Sequence, residues 1–147
     1  MLASVIQSFR EPIMYRYRCE GHTTWNARKN FNRVGVLGKI KRVKGYRFTS
    51  CRKNNSNQPV QHEYVLVVGE NGSCRFSGLC WGYGGEGPSG LCELLKMLGI
   101  EGNMAANIAY DSYRGQADGT DWELKFREGQ FSYMNGNWTS YHEWQAA

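Results

Sequence analysis

The sequence predicts an α+β fold: an antiparallel β-sheet with two helices packed on one face. Three observations carry that prediction. Segments of alternating apolar and polar residues come first, two stretches with helical spacing follow, and alternating segments close the chain. Between the early strands and the helices lies Cys80-Trp81-Gly82-Tyr83-Gly84-Gly85-Glu86-Gly87-Pro88-Ser89-Gly90-Leu91, where two aromatics sit among five glycines. Leu91, Leu94, Leu95 and Leu98 then recur at i, i+3, i+4 and i+7, which is one apolar helical face. The chain of 147 residues is long enough for a single domain, 1–147, around one core. No repeat period is visible in it.

Taken in order, Met1 to Pro12 reads as a short helix or an arm. Ile13 to Cys19 alternates Ile13, Tyr15, Tyr17 and Cys19 against Met14, Arg16 and Arg18, the period of a half-buried strand. After a turn at Glu20-Gly21-His22, Thr23 to Lys29 predicts a second strand with Trp25 and Ala27 inward, and Asn30 to Arg33 a loop. Val34 to Ser50 predicts a hairpin that turns at Val43-Lys44-Gly45 and returns with Tyr46 and Phe48 on one face. Arg52 to His62 is polar and reads as a surface loop. Tyr64 to Val68 is a β-branched run suited to a central strand, and Asn71-Gly72 is the strongest hairpin signal in the chain. Ser73 to Trp81 then pairs back and leads into the glycine loop.

Pro88 suits the first turn of the leucine helix and Gly99 its stop. A second helix runs over about Asn103 to Arg114. Trp122 to Arg127 alternates Trp122, Leu124 and Phe126 against Glu123, Lys125 and Arg127, turns at Glu128-Gly129, and pairs with Gln130 to Met134. Trp138 to Ala147 is an aromatic tail, read as a short closing helix.

Composition narrows the function. The net charge of +5 hides two unlike halves. A basic, β-rich half (13–53) holds twelve Lys/Arg against Glu20 alone, so from Met14 to Lys53 the charge is +11. An acidic half (63–147) holds five Lys/Arg against eleven Asp/Glu, or −6, and carries the glycine loop and both helices. A local excess of one sign implies a partner of the other. No apolar run is long enough to span a membrane, and the first nine residues lack the basic start of a signal peptide. Five cysteines (Cys19, Cys51, Cys74, Cys80, Cys92) with no C-x-x-C pair suggest free thiols in a cytoplasmic setting and predict no metal site.

The predicted partner-binding residues are Arg16, Arg18, Arg28, Lys29, Arg33, Lys39, Lys41, Arg42, Lys44 and Arg47. Tyr15, Tyr17, Trp25, Phe31, Tyr46 and Phe48 are interleaved with them. Cations pair with phosphates and exposed rings stack on bases. A second candidate is an anion or ligand loop, Tyr83, Gly84, Gly85, Gly87 and Ser89, because a helix start can hold an anion and glycine permits close approach. Gly82-Tyr83-Gly84-Gly85-Glu86-Gly87 has G-x-G-x-x-G spacing, but no βαβ unit surrounds it, so it is not read as a dinucleotide site. His22 beside Thr23 and Thr24 is the one candidate general base, and Asp118, Asp121 and Glu123 are close enough in sequence to consider for a metal. Ordinary surface and turn roles explain them as well, so no catalytic residue and no cofactor is assigned.

Trp81-Gly82-Tyr83-Gly84-Gly85-Glu86-Gly87-Pro88, the Leu91–Leu98 face, Ala105 to Tyr113 and Trp122-Glu123-Leu124 resemble a small domain of uncharacterised bacterial and phage proteins. The likeness spans about Phe76 to Phe126 and implies a fold and a phage or mobile-element origin, not an activity. With the basic half, it leads to an expected function: a small non-enzymatic binding protein that engages a phosphate-bearing partner (nucleic acid, ribonucleoprotein or nucleotide signal) in anti-defence within a bacterial host. The alternatives are a protein inhibitor of a host nucleic-acid-handling complex and a small nuclease or hydrolase.

Overall fold

A computed structural model describes residues 14–19, 21–53 and 56–146. The arm expected over 1–12 lies outside them. Seven strands form one sheet: β1 (Tyr15–Cys19), β2 (Ile40–Lys53), β3 (Pro59–Gly69), β4 (Gly72–Phe76), β5 (Gly119–Arg127), β6 (Gln130–Asn135) and β7 (Trp138–Glu143). Their spatial order is β1-β4-β3-β2-β5-β6-β7. Three α-helices, α1 (Thr24–Lys29), α2 (Glu86–Met97) and α3 (Gly102–Asp111), and a 3₁₀ helix (Phe31–Leu37) complete the described elements. The sheet is mixed rather than purely antiparallel as expected. β1 runs parallel to β4, while every other neighbouring pair is antiparallel. No helix among the described residues is long and apolar enough to cross a membrane.

The core follows the two periodicities. On α2, Leu91, Leu94, Leu95 and Leu98 are all buried, as their spacing requires. On β5, Trp122, Leu124 and Phe126 are buried, and their partners on β6 across the register, Tyr133 and Phe131, are buried with them. These residues join Val43, Val65, Val67, Cys74 and Phe76 from the strands, and Ala27, Val34, Ala105 and Ile108 from the helices, in a single cluster. Each Leu or Phe buried in it contributes roughly 1.5–3 kcal/mol.

The surface loop expected over Arg52–His62 is shorter, because β2 runs to Lys53 and β3 starts at Pro59, and three further local expectations are corrected. Thr23–Lys29 is not a strand. Thr23 caps a helix, its side chain accepting from Asn26 N at 3.1 Å, and a helical turn buries Ala27 while leaving Trp25 63% exposed. Val34–Ser50 is not a hairpin. Phe31–Leu37 is a 3₁₀ helix that ends at Gly38 with φ 70°, and β2 then runs straight through Lys44-Gly45. Gly45 serves packing instead of a turn, because a Cβ there would collide with the buried indole of Trp122. The tail is not a helix: β7 pairs with β6, and Trp144 just beyond it donates from Nε1 to Leu98 O at 3.1 Å.

The Asn71-Gly72 hairpin is present, with Gly69 and Gly72 paired and Glu70-Asn71 at the turn. Gly72, at φ 146°, lies so close to the Tyr15 backbone that any Cβ would block β1 from docking.

Candidate nucleic-acid interface

Successive residues of a strand point to opposite faces. On β2, Val43, Gly45 and Arg47 point into the core side, so Arg42, Lys44, Tyr46 and Phe48 point the other way. The register carries that second face across the sheet. Arg18 lies beside Arg75, Arg75 beside Leu66, and Leu66 beside Lys44. One rung along, Arg16 lies beside Ser73, Ser73 beside Val68, Val68 beside Arg42, and Arg42 beside Lys125. In the other direction Tyr64 faces Tyr46, and His62 faces Phe48. Arg127 and Tyr141 lie on the same face farther out.

Cations and rings are therefore sorted along the strands. The rungs toward the β3–β4 turn carry Arg16, Arg18, Arg75, Arg42, Lys44 and Lys125, while the next two rungs carry rings. Those rings pack at angles of 16° to 33° to one another. Tyr46 and Phe48 lie 6.5 Å apart at 18°, Phe48 and Tyr64 5.4 Å at 18°, and His62 and Tyr64 5.9 Å at 16°. The Arg75 guanidinium sits 4.2 Å above the Tyr64 ring and Lys44 Nζ 5.4 Å above Tyr46, which ties the two bands together by cation–π attraction. Glu123 is the acid within this patch, and its contact to Arg42 is long, 3.8 Å. On the β5–β7 side the same face hollows into a concavity of about 280 Å³ lined by Glu123, Lys125, Arg127, Met134 and Tyr141.

The ten predicted basic residues do not form one patch. Arg16, Arg18, Arg42 and Lys44 lie on this face. Lys39 and Lys41 are exposed at the start of β2, where the register shifts between Ile40 and Arg42. Arg28, Lys29 and Arg33 lie on α1 and the 3₁₀ helix: Arg28 Nε pairs with Glu93 at 2.8 Å, Lys29 Nζ covers the Trp25 ring at 3.1 Å, and Arg33 covers Tyr17 at 4.7 Å. Phe31 is buried.

Arg47 is the clear correction. Its side chain is 6% exposed and held by Asp121, with Nη2 at 2.6 Å from Oδ2, and Trp81 Nε1 donates to the same oxygen at 3.0 Å. A register shift in β5 between the partners of Gly45 and Tyr46 makes room for this, turning Asp121 and Trp122 inward one after the other. Asp121 is thus a structural counter-ion. Asp118 is tied to Thr49 N and Oγ1 at 3.0 and 2.8 Å, and no metal-binding group occurs among the described residues.

Sequence reasoning missed Arg75, Lys125 and Arg127 as members of the face because they belong to the acidic half. Their signal was parity: each alternates with core residues, Arg75 between Cys74 and Phe76, Lys125 between Leu124 and Phe126.

The glycine loop is built differently from expectation. Gly84 has open space around it, and Gly85 is extended at φ 169° with only the Tyr83 ring nearby. The tight positions are Gly82, at φ 85° against Ser112 O and the Arg114 side chain, and Gly87, pressed on Cys80 Sγ. Helix α2 starts at Glu86, so its first turn carries a carboxylate, and Pro88 offers no N–H. Ser89 Oγ is 3.5 Å from Arg28 Nη2. Tyr83 is exposed and bonded to Cys80 Sγ at 2.7 Å. Burial pushes the Cys80 thiol up, and the bond to Cys80 raises Tyr83 to about 12, so both stay protonated at neutral pH. His22, His62, Glu63, Cys80 and Tyr83 line a second concavity of about 430 Å³ beside the ring band.

Comparison with family models, with curated proteins and with solved structures finds no match to this chain.

Proposed function

We propose that this protein is a single-domain nucleic-acid-binding module that uses the open face of its sheet. The helices are read as covering the face that carries Val43, Val65 and Leu124, which leaves the opposite face free for a partner. The observation that carries the proposal is the register itself. It gathers Arg16, Arg18, Arg42, Lys44, Arg75 and Lys125 beside the Tyr46, Phe48, His62 and Tyr64 rings, from strands that are far apart in sequence. Cations on a strand face attract phosphates over a distance, and rings beside them offer apolar contact to bases. A phage or mobile-element role in countering host defence fits a small binder of this kind.

The test is a fluorescence anisotropy titration with labelled oligonucleotides across a salt series. Wild-type protein is expected to bind with affinity that falls steeply as salt rises. Lys44→Glu with Lys125→Glu should lose most of the binding while the melting temperature stays put, since exposed charges carry little stability. Unchanged affinity in that double variant would remove the face from the function.

A further inference from the structure

The sorting of cations and rings into separate bands carries a narrower conclusion, which rests on the function proposed above. We infer that the ligand is a single strand laid across the β-strands, its phosphates on the cation band and its bases turned onto the ring band.

The cation band follows the register from β1 to β5: Arg18, Arg75, Lys44 and, one rung over, Arg42 and Lys125. Four inter-strand steps make it roughly 19 Å long at the usual strand spacing. It runs perpendicular to the strands. The first ring rung, Tyr64–Tyr46, is two residues from the Leu66–Lys44 rung, or roughly 7 Å, and His62–Phe48 is the same distance further. Tyr46, Phe48, His62 and Tyr64 lie to one side of the band, and Tyr141 lies past its Lys125 end, beyond Ser132 in the register. A chain whose phosphates followed the band would carry its bases to that side through their sugars. Tyr46, Phe48 and His62 are partly exposed, so their rings are reachable. Such contact needs bases with free faces. A duplex stacks those faces on its own neighbours and presents phosphates on both sides of any groove, where the ring band would meet charge. The face is thus matched to an unpaired strand, and its groups are common to RNA and DNA.

The experiment compares fluorescein-labelled RNA and DNA strands of roughly twelve nucleotides, within the usual site size of such modules, with the duplex of the same sequence. Either single strand should bind at least about tenfold tighter than the duplex; RNA tighter than DNA would add contacts to the 2′-hydroxyl, and equal binding would assign the shared phosphates and bases. Phe48→Leu keeps an apolar side chain at the site and removes the ring. It should weaken single-strand binding about fivefold or more with the salt slope unchanged, and thermal melting checks that it is folded. Lys44→Gln should reduce the slope by roughly 0.7, the share of one phosphate contact in a single strand. Duplex bound as tightly as single strand, or Phe48→Leu bound as tightly as wild type, overturns this inference while leaving a nucleic-acid-binding face. Failure of every oligonucleotide to bind at low salt overturns both.

Discussion

Replacing Arg47 with Met should destabilise the fold whether or not a ligand is present. Asp121 is 4% exposed at its side chain and takes two hydrogen bonds from Arg47, at 3.2 and 2.6 Å, and one from Trp81. Glu63 Oε1 lies 3.5 Å from the same guanidinium and is shared with Arg114. Arg47→Met leaves the Asp121 carboxylate buried with Trp81 Nε1 as its remaining donor. Removing one partner of a buried ion pair costs about 3–5 kcal/mol. For a chain of this size each kcal/mol lowers the melting temperature by roughly 2–4 °C, so a fall of roughly 6–20 °C is expected. Chemical denaturation at pH 7 reads the loss directly, and Arg47→Met with Asp121→Asn should recover part of it because no unpaired charge remains. A loss below about 1 kcal/mol would refute the reasoning, since an exposed pair costs no more than that.

Two more outcomes follow from the loop and the helix caps. Gly82→Ala must place a Cβ at φ 85° against Ser112 O, at a cost on the order of 1–3 kcal/mol, whereas Gly84→Ala meets open space and should stay within about 0.5 kcal/mol in the same denaturation assay. Glu101 accepts from Asn103 N and Met104 N at the start of α3, which holds its carboxyl below the usual carboxylate range. Its contribution is therefore full above the ordinary carboxylate pKa and lost as pH falls through the lowered one. Glu101→Ala should lower the melting temperature at pH 7, and the gap to wild type should close in acid.

Periodicity revealed the core where an element was long enough to show it. The four leucines of α2 and the Trp122-Leu124-Phe126 alternation lie where their spacing puts them. α1 has six residues, too few for a helical period to separate from an alternating one, and its Thr23 cap was the better signal. Gly45 looked like a turn residue because the Trp122 ring it accommodates lies 77 positions away, beyond any local reading. The closing strand β7 was hidden for a similar reason: its partner residues on β6 fix it, and its own sequence alternates weakly. The candidate interface was half legible. Tyr46 and Phe48 were visible as one face, but the expected turn at Val43-Lys44-Gly45 separated them from Arg42 and Lys44, and charge summed along the chain assigned Arg75 and Lys125 to the acidic half and Arg47 to the binding set. Strand register, which linear charge does not encode, reverses both assignments.

The most direct test of the sheet face is amide shift mapping by NMR as a short single-stranded RNA is added to labelled protein. The largest shifts should fall on Arg18, Arg75, Lys44, Tyr46, Phe48, His62 and Lys125, with α2 and α3 unmoved. Shifts centred instead on Arg28, Lys29 and Arg33, or on the loop from Gly82 to Gly87, would place the ligand elsewhere and contradict the account.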